Sequence, residues 1–307
     1  EMSASLVGSE MCIRDRCGEE ETLRLDKKMR EKIGMPPRDF FSAQPWTHAG
    51  AKEKIFPIVL EYRFKSEIRV QNAYLAAELA DVTKIEFNGK QVPMNVVGKY
   101  VDDAISKIAL PEISRGENTL RLHVNYHSQS SAENVMILGD FFAEKQKIEN
   151  GEKGVIAAKK AGLPWGRIDD LGYAFYGGNL TYITKINVKH GGLLAIKAPC
   201  YKGNLIEIAV DGQKKGKILY APYKADLGKI SAGAHELRLT LYGNRFNTFG
   251  QLHNTTAVPW DGTYAWRTDG KEWSYDLLTR PVGIMRAPTY EIYAAENSTE
   301  RGGKEEK

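Results

Sequence analysis

The chain has 307 residues, 42% of them hydrophobic and 10% aromatic, with 43 Lys and Arg against 39 Asp and Glu for a formal charge of +4. Opposite charges are interspersed, and no apolar run approaches the roughly 18 residues that cross a bilayer; composition argues against a nucleic-acid partner and against a membrane-spanning helix. Length, together with the scatter of 12 prolines and 29 glycines along the chain, points to two folded domains.

At the N-terminus, residues 5–16 (Ser-Leu-Val-Gly-Ser-Glu-Met-Cys-Ile-Arg-Asp-Arg) resemble a translated sequencing adapter. They have neither the basic start nor the apolar core of about 7–15 residues that an export signal requires. Residues 1–16 therefore read as an assembly artefact, and the natural chain is expected to extend upstream of Cys17. Setting Cys12 aside leaves Cys17 and Cys200, which support no disulfide framework.

Residues 17–54 alternate weakly over Glu19–Asp26 and then become charged and turn-rich, with Pro36-Pro37, Pro45-Trp46 and His48-Ala49-Gly50. This segment reads as a linker plus a remnant strand of an upstream domain. From Phe56 the texture changes to short β-type runs: Val59–Phe64, Asn72–Leu79, and Val82–Phe87 ending at Asn88-Gly89. Period-two alternation closed by Asn-Gly is the strongest short-range hairpin signal. After an irregular stretch over Asn150–Asp170 the texture returns in Leu180–Ile186, Leu193–Ala198 and Ile206–Val210, the last ending at Asp211-Gly212. Helical periodicity is nearly absent. The reading is all-β, with sandwiches over residues 55–165 and 166–293 and a charged, disordered tail over 294–307.

The two halves repeat a motif. In the first, Ile85-Glu86-Phe87-Asn88-Gly89 precedes Asp102 and then Gly116-Glu117-Asn118-Thr119-Leu120-Arg121-Leu122. In the second, Ile206–Gly212 precedes Asp226 and then Gly233-Ala234-His235-Glu236-Leu237-Arg238-Leu239. Asn-Gly and Asp-Gly supply the positive φ of a type I′ turn, and the later glycine permits a reversal into a half-buried strand. Two copies imply two sandwiches of similar architecture.

These residues resemble the galactose-binding-like jelly roll that serves as the sugar-binding domain of glycoside hydrolase family 2. Ile137–Phe141, Gly172–Tyr182, Pro222–Asp226 and Asn247–His253 sharpen the likeness toward the C-terminal region of large bacterial enzymes of the α-L-rhamnosidase (family 106) type. The resemblance covers residues 55–293 and implies two tandem jelly-roll β-sandwiches. It also implies a catalytic domain upstream, in the missing part of the chain, as the natural partner. Any export signal, and with it an extracytoplasmic location, would lie upstream as well. No catalytic residue is carried over. Hydrolysis of a glycosidic bond needs two carboxylates about 5–9.5 Å apart, and Asp102, Asp140, Asp169, Asp170, Asp226 and Asp261 read better as turn caps.

The segment best suited to binding is Trp260–Tyr275, which holds Trp260, Tyr264, Trp266 and Trp273 with Asp261, Arg267 and Asp269 between them, just after His253. Flat rings stack on the C–H faces of pyranoses, and Arg and carboxylate groups fix hydroxyls. The expected ligand is carbohydrate, a plant or host glycan, at Trp260, Tyr264, Trp266, Arg267, Trp273 and His253. The bland alternative is that the rings fill a core or seal a domain interface. His235 and His253 lack partners at metal-ligand spacing, so no metal is predicted. Gly177-Gly178 and Gly191-Gly192 lack a phosphate-loop pattern, and no cofactor is expected. Two functions remain: a non-catalytic, carbohydrate-associated region of a glycoside hydrolase, or a purely structural accessory region.

Overall fold

The computed structural model describes residues 4–7, 11–13, 18–36, 54–255 and 268–294. The chain divides into two compact units built from discontinuous segments. The first comprises Glu1–Leu163, Ile168–Tyr176 and Arg245–Arg280; the second comprises Pro164–Arg167, Gly177–Asn244 and Pro281–Lys307.

The strands of the first unit are β1 (Ala4–Val7), β2 (Met11–Ile13), β3 (Gly18–Glu20), β4 (Phe56–Ser66), β5 (Tyr74–Glu78), β6 (Val82–Phe87) and β7 (Lys90–Val92). They continue with β8 (Val96–Tyr100), β9 (Asp102–Ala109), β10 (Gly116–Tyr126), β11 (Met136–Gly139), β12 (Phe142–Ile148) and β13 (Gly151–Ala157). One sheet runs β1-β11-β5-β9-β8 and the other β12-β13-β4-β10-β6-β7, with β2 paired to β4 and β3 to β2. Alternating burial sends Leu120, Leu122 and Val124 of β10 and Ile85 and Phe87 of β6 inward. There they join Leu75 and Ile108 of the other sheet in a shared core. That two-layer arrangement defines a β-sandwich.

Within the segment 17–54, expected to be a linker and a remnant strand, the described residues 18–36 fold otherwise. Thr22–Lys32 is an α-helix, α1, whose Leu25 and Met29 are buried in the sandwich core. Its buried face also carries an ion pair between Asp26 and Arg30, Nε to Oδ2 3.1 Å. Tyr126 Oη and the Ala132 amide both donate to Asp26 Oδ1 at 2.8 Å, while Arg30 Nη2 donates to the carbonyls of Ser128 and Ser130. A buried pair is tolerated only when its remaining donors and acceptors are met, and here loop 127–132 meets them.

The second unit contains β14 (Leu180–Val188), β15 (Gly192–Lys197), β16 (Tyr201–Lys202), β17 (Leu205–Val210), β18 (Gln213–Ile218), β19 (Lys224–Ile230), β20 (Gly233–Tyr242), β21 (Gly283–Ile284) and β22 (Thr289–Tyr293). Its sheets run β14-β20-β17-β18, β19-β15-β22 and β16-β21. Ile206, Ile208, Leu237, Leu239, Leu194 and Ile196 are buried in its interior.

The repeat is structural. β10 pairs antiparallel with β6 through Leu120↔Phe87 and Leu122↔Ile85, and β20 pairs with β17 through Leu237↔Val210 and Leu239↔Ile208. Asn88 and Gly89 have φ of 48° and 76°; Asp211 and Gly212 have 49° and 77°. Both turns are thus of the type the sequence demands. Each turn residue also reaches the motif's later strand. Asn88 Oδ1 accepts from the Thr119 amide at 2.8 Å and Asp211 Oδ1 from the Glu236 amide at 2.9 Å.

Candidate functional site

Of the six residues expected to bind sugar, Trp260, Tyr264, Trp266 and Arg267 lie outside the described residues, as does Asp261. His253 and Trp273 are described, and they meet in the first unit. A short antiparallel contact joins Asn254 to Trp273, and the Ser274 amide donates to the His253 carbonyl at 2.8 Å. His253 Nδ1 donates to the Ser274 carbonyl at 2.8 Å, and its ring stacks on Trp273 at 5.3 Å between centroids. The Arg24 guanidinium sits 4.2 Å from the Trp273 ring centre, and Trp273 is only 9% exposed. This indole is therefore enclosed by cation–π and stacking contacts.

Tyr275, by contrast, is 44% exposed and stands edge-on to Trp273 at 4.3 Å. Its hydroxyl donates to Glu20 Oε1 at 3.0 Å. Gly151 makes room for it: with φ at 120°, a Cβ there would lie 2.5 Å from both the Tyr275 Cβ and the Tyr275 carbonyl oxygen. A cavity of about 620 Å³ opens here, lined by Glu19, Glu20, Glu21, Glu149, Asn150, Glu152, Lys153, His253 and Tyr275.

Helix α1 positions the carboxylates. Glu21 is its N-cap, accepting from the Leu23 and Arg24 amides at 3.1 Å, so the first-turn donors of the helix are met by a side chain. Burial pushes the Glu21 carboxyl above its ordinary value, with His253 and the cap amides opposing and Glu20 reinforcing the shift. Burial opposes ionisation at Glu20 also, but Lys28, Tyr275 and Arg24 outweigh it and hold that carboxyl below the usual range. Asp269 is tied to the same helix by Lys27 at 2.6 Å, and that hydrogen bond lowers its carboxyl. Two neighbouring carboxylates pushed in opposite directions are a pattern that acid–base chemistry uses. In this cleft Glu21 caps the helix and Glu20 is engaged by Lys28, Arg24 and Tyr275.

Four of the acidic candidates have local roles. Asp102 Oδ1 accepts from the Ala104 amide at 2.8 Å, Asp140 pairs with Lys159, and Asp226 pairs with Lys224 at 3.1 Å. Asp169 is buried and accepts from Thr279 Oγ1 at 3.3 Å. Among the described residues no group of three or more His, Cys, Asp or Glu is arranged to hold a metal.

Sequence reasoning missed Glu20, Glu21, Arg24 and the exposure of Tyr275. A signal was present: an acidic Glu19-Glu20-Glu21 run before Leu25 and Met29 at helical spacing, Arg30 and Lys32 in the last turn, and Gly34 just beyond.

The class that fold and cleft define is an all-β protein of two sandwiches with an acidic, aromatic-walled cleft in the first. No protein-family model matches the chain, and no curated protein does. Among solved structures it is similar to a rhamnosidase from Novosphingobium sp. PP1Y at 15% identity and a TM-score of 0.31, covering 86% of this chain and 26% of that one. A β-D-mannosidase from Dictyoglomus thermophilum matches at 10% identity and a TM-score of 0.23, over 80% of this chain and 31% of that one. The chain thus spans between a quarter and a third of the length of these two enzymes. Activity and substrate rest on the chain's own residues.

Proposed function

We propose that this chain is a non-catalytic, carbohydrate-associated region of a larger bacterial glycoside hydrolase, whose catalytic domain lies in a missing upstream part, with residues 1–16 derived from a sequencing adapter. The observation that carries the binding reading is the cleft in which Tyr275 is 44% exposed among the carboxylates of Glu19, Glu149 and Glu152. A ring of this kind stacks on a pyranose face, and carboxylates accept hydrogen bonds from its hydroxyls. The ligand is a neutral saccharide, since the lining is predominantly anionic. Trp260, Tyr264, Trp266 and Arg267 are proposed to bind carbohydrate as well.

The second reading is a structural accessory region without sugar affinity. One observation favours it: Trp273, among the rings expected to bind, is enclosed by Arg24 and His253. A glycan-array screen of the purified chain decides between them. The binding reading expects a neutral glycan to be retained and Tyr275→Ala to lose at least tenfold in affinity, with circular dichroism unchanged. A folded protein that retains no glycan would establish the structural role instead.

A further inference from the structure

We infer that the second unit carries a separate site, formed by the loop Leu219–Tyr223 with Lys202 and Lys217 beside it, for a polysaccharide bearing carboxylates on its pyranose rings. The inference deepens the carbohydrate reading by adding a site and a ligand class, and its residues are distinct from those of the acidic cleft. Leu219, Tyr220 and Tyr223 are 39%, 80% and 37% exposed, and Ala221 and Pro222 between them are exposed as well. Five consecutive exposed residues of this kind are a liability on a surface unless something binds there.

The loop is held in one shape. The Tyr223 amide donates to the Tyr220 carbonyl at 2.8 Å, and the Tyr223 carbonyl accepts from the Ala198 amide at 3.0 Å. Tyr201 Oη donates to the carbonyls of Ile218 and Leu219 at 3.2 Å, and its ring meets Tyr223 edge-on at 5.8 Å. Tyr223 itself has φ at 57°, a left-handed conformation that bulky side chains rarely adopt. Such residues persist where the surroundings over-determine them, and they concentrate at ligand sites. A rigid aromatic loop loses little entropy when a ring docks on it.

Charge selects the ligand. The described residues of the second unit include twelve Lys and Arg against five Asp and Glu. Lys224, next in the chain, pairs with Asp226 at 3.1 Å, whereas Lys217, two residues before Leu219, and Lys202, next to Tyr201, make no ion pair among the described residues. Lys202 and Lys217 lack the planar fork that grips phosphates and base edges. Single carboxylates spaced along a stacked sugar chain fit that arrangement better than a nucleic acid.

Affinity electrophoresis of the whole chain through alginate, and through its neutral propylene glycol ester, tests the site. The expected result is retardation by alginate that Tyr220→Ala reduces at least tenfold, that the double variant Lys202→Gln, Lys217→Gln reduces at least threefold, and that the ester largely lacks. Tyr220→Phe should bind as the parent does, which separates loss of the ring from misfolding. Equal retardation in both gels, indifference to Tyr220→Ala, or equal binding of a single-stranded oligonucleotide would each overturn the inference. Tyr275→Ala leaves alginate binding unchanged, so failure of the cleft and failure of this site are read separately.

Discussion

Asn88 and Asp211 hold the same place in the two copies of the repeat, yet their second side-chain atoms meet different partners. Asn88 Nδ2 donates to Asn118 Oδ1 at 2.8 Å, a neutral bond; Asp211 Oδ2 meets His235 Nδ1 at 2.6 Å. Asp211, with help from the Ser231 carbonyl, raises the imidazole above its ordinary value, and His235, with the Glu236 amide, lowers the Asp211 carboxyl. The signs follow from linkage. His235 contributes stability fully below the ordinary imidazole value and loses it as pH rises through the raised one. Asp211 contributes above the ordinary carboxyl value and loses it as pH falls through the depressed one. The second unit should therefore lose urea resistance as pH climbs past neutrality, and His235→Asn, which copies the first repeat, should flatten that slope. Urea midpoints between about pH 5 and 9 read this directly; an unchanged slope in the variant would show the pair to be inert.

At the scale of elements, the start of α1 sets its N-cap Glu21, and Glu20 just before it, in the cleft lining, while its buried face holds the pair Asp26 and Arg30. Removing one member leaves the other buried without a partner, so Asp26→Ala should destabilise the first unit by about 3 kcal/mol. Chemical denaturation with a near-ultraviolet signal measures it, and a loss below about 0.5 kcal/mol would mean that the loop carbonyls alone satisfy Arg30. The hairpins were legible because their turns are local: Asn-Gly and Asp-Gly announce positive φ, and the flanking Leu and Ile residues alternate. The helix was obscured because only Leu25 and Met29 mark its apolar face, while Asp26 and Arg30 occupy positions that a pattern of hydrophobic residues would fill. The cleft was half legible. Trp273 and His253 stood out as residue types, but the burial of one ring and the exposure of Tyr275 depend on Gly151 and Arg24, which lie far away in sequence.

For the molecule as a whole, the division into two compact units predicts two calorimetric transitions. Asp26→Ala should move one of them, and Leu239→Ala, which deletes a fully buried side chain of β20, should move the other by the equivalent of about 2–5 kcal/mol. A single transition shifted by both substitutions would mean that the units unfold as one cooperative body.

The return of Arg245–Arg280 to the first unit has a consequence for how the chain is made and cut. Trp273, Tyr275 and Leu277 leave the ribosome only after every strand from β14 to β20, so the earlier unit is completed later than most of the unit that follows it. Nor can a clone that stops at Leu163 isolate a finished first sandwich: it would lack Leu252 and Leu277 from the core and Tyr275 from the cleft wall. Excising the first unit calls for a fusion that joins Tyr176 to Arg245 across a short linker and omits the intervening sheet.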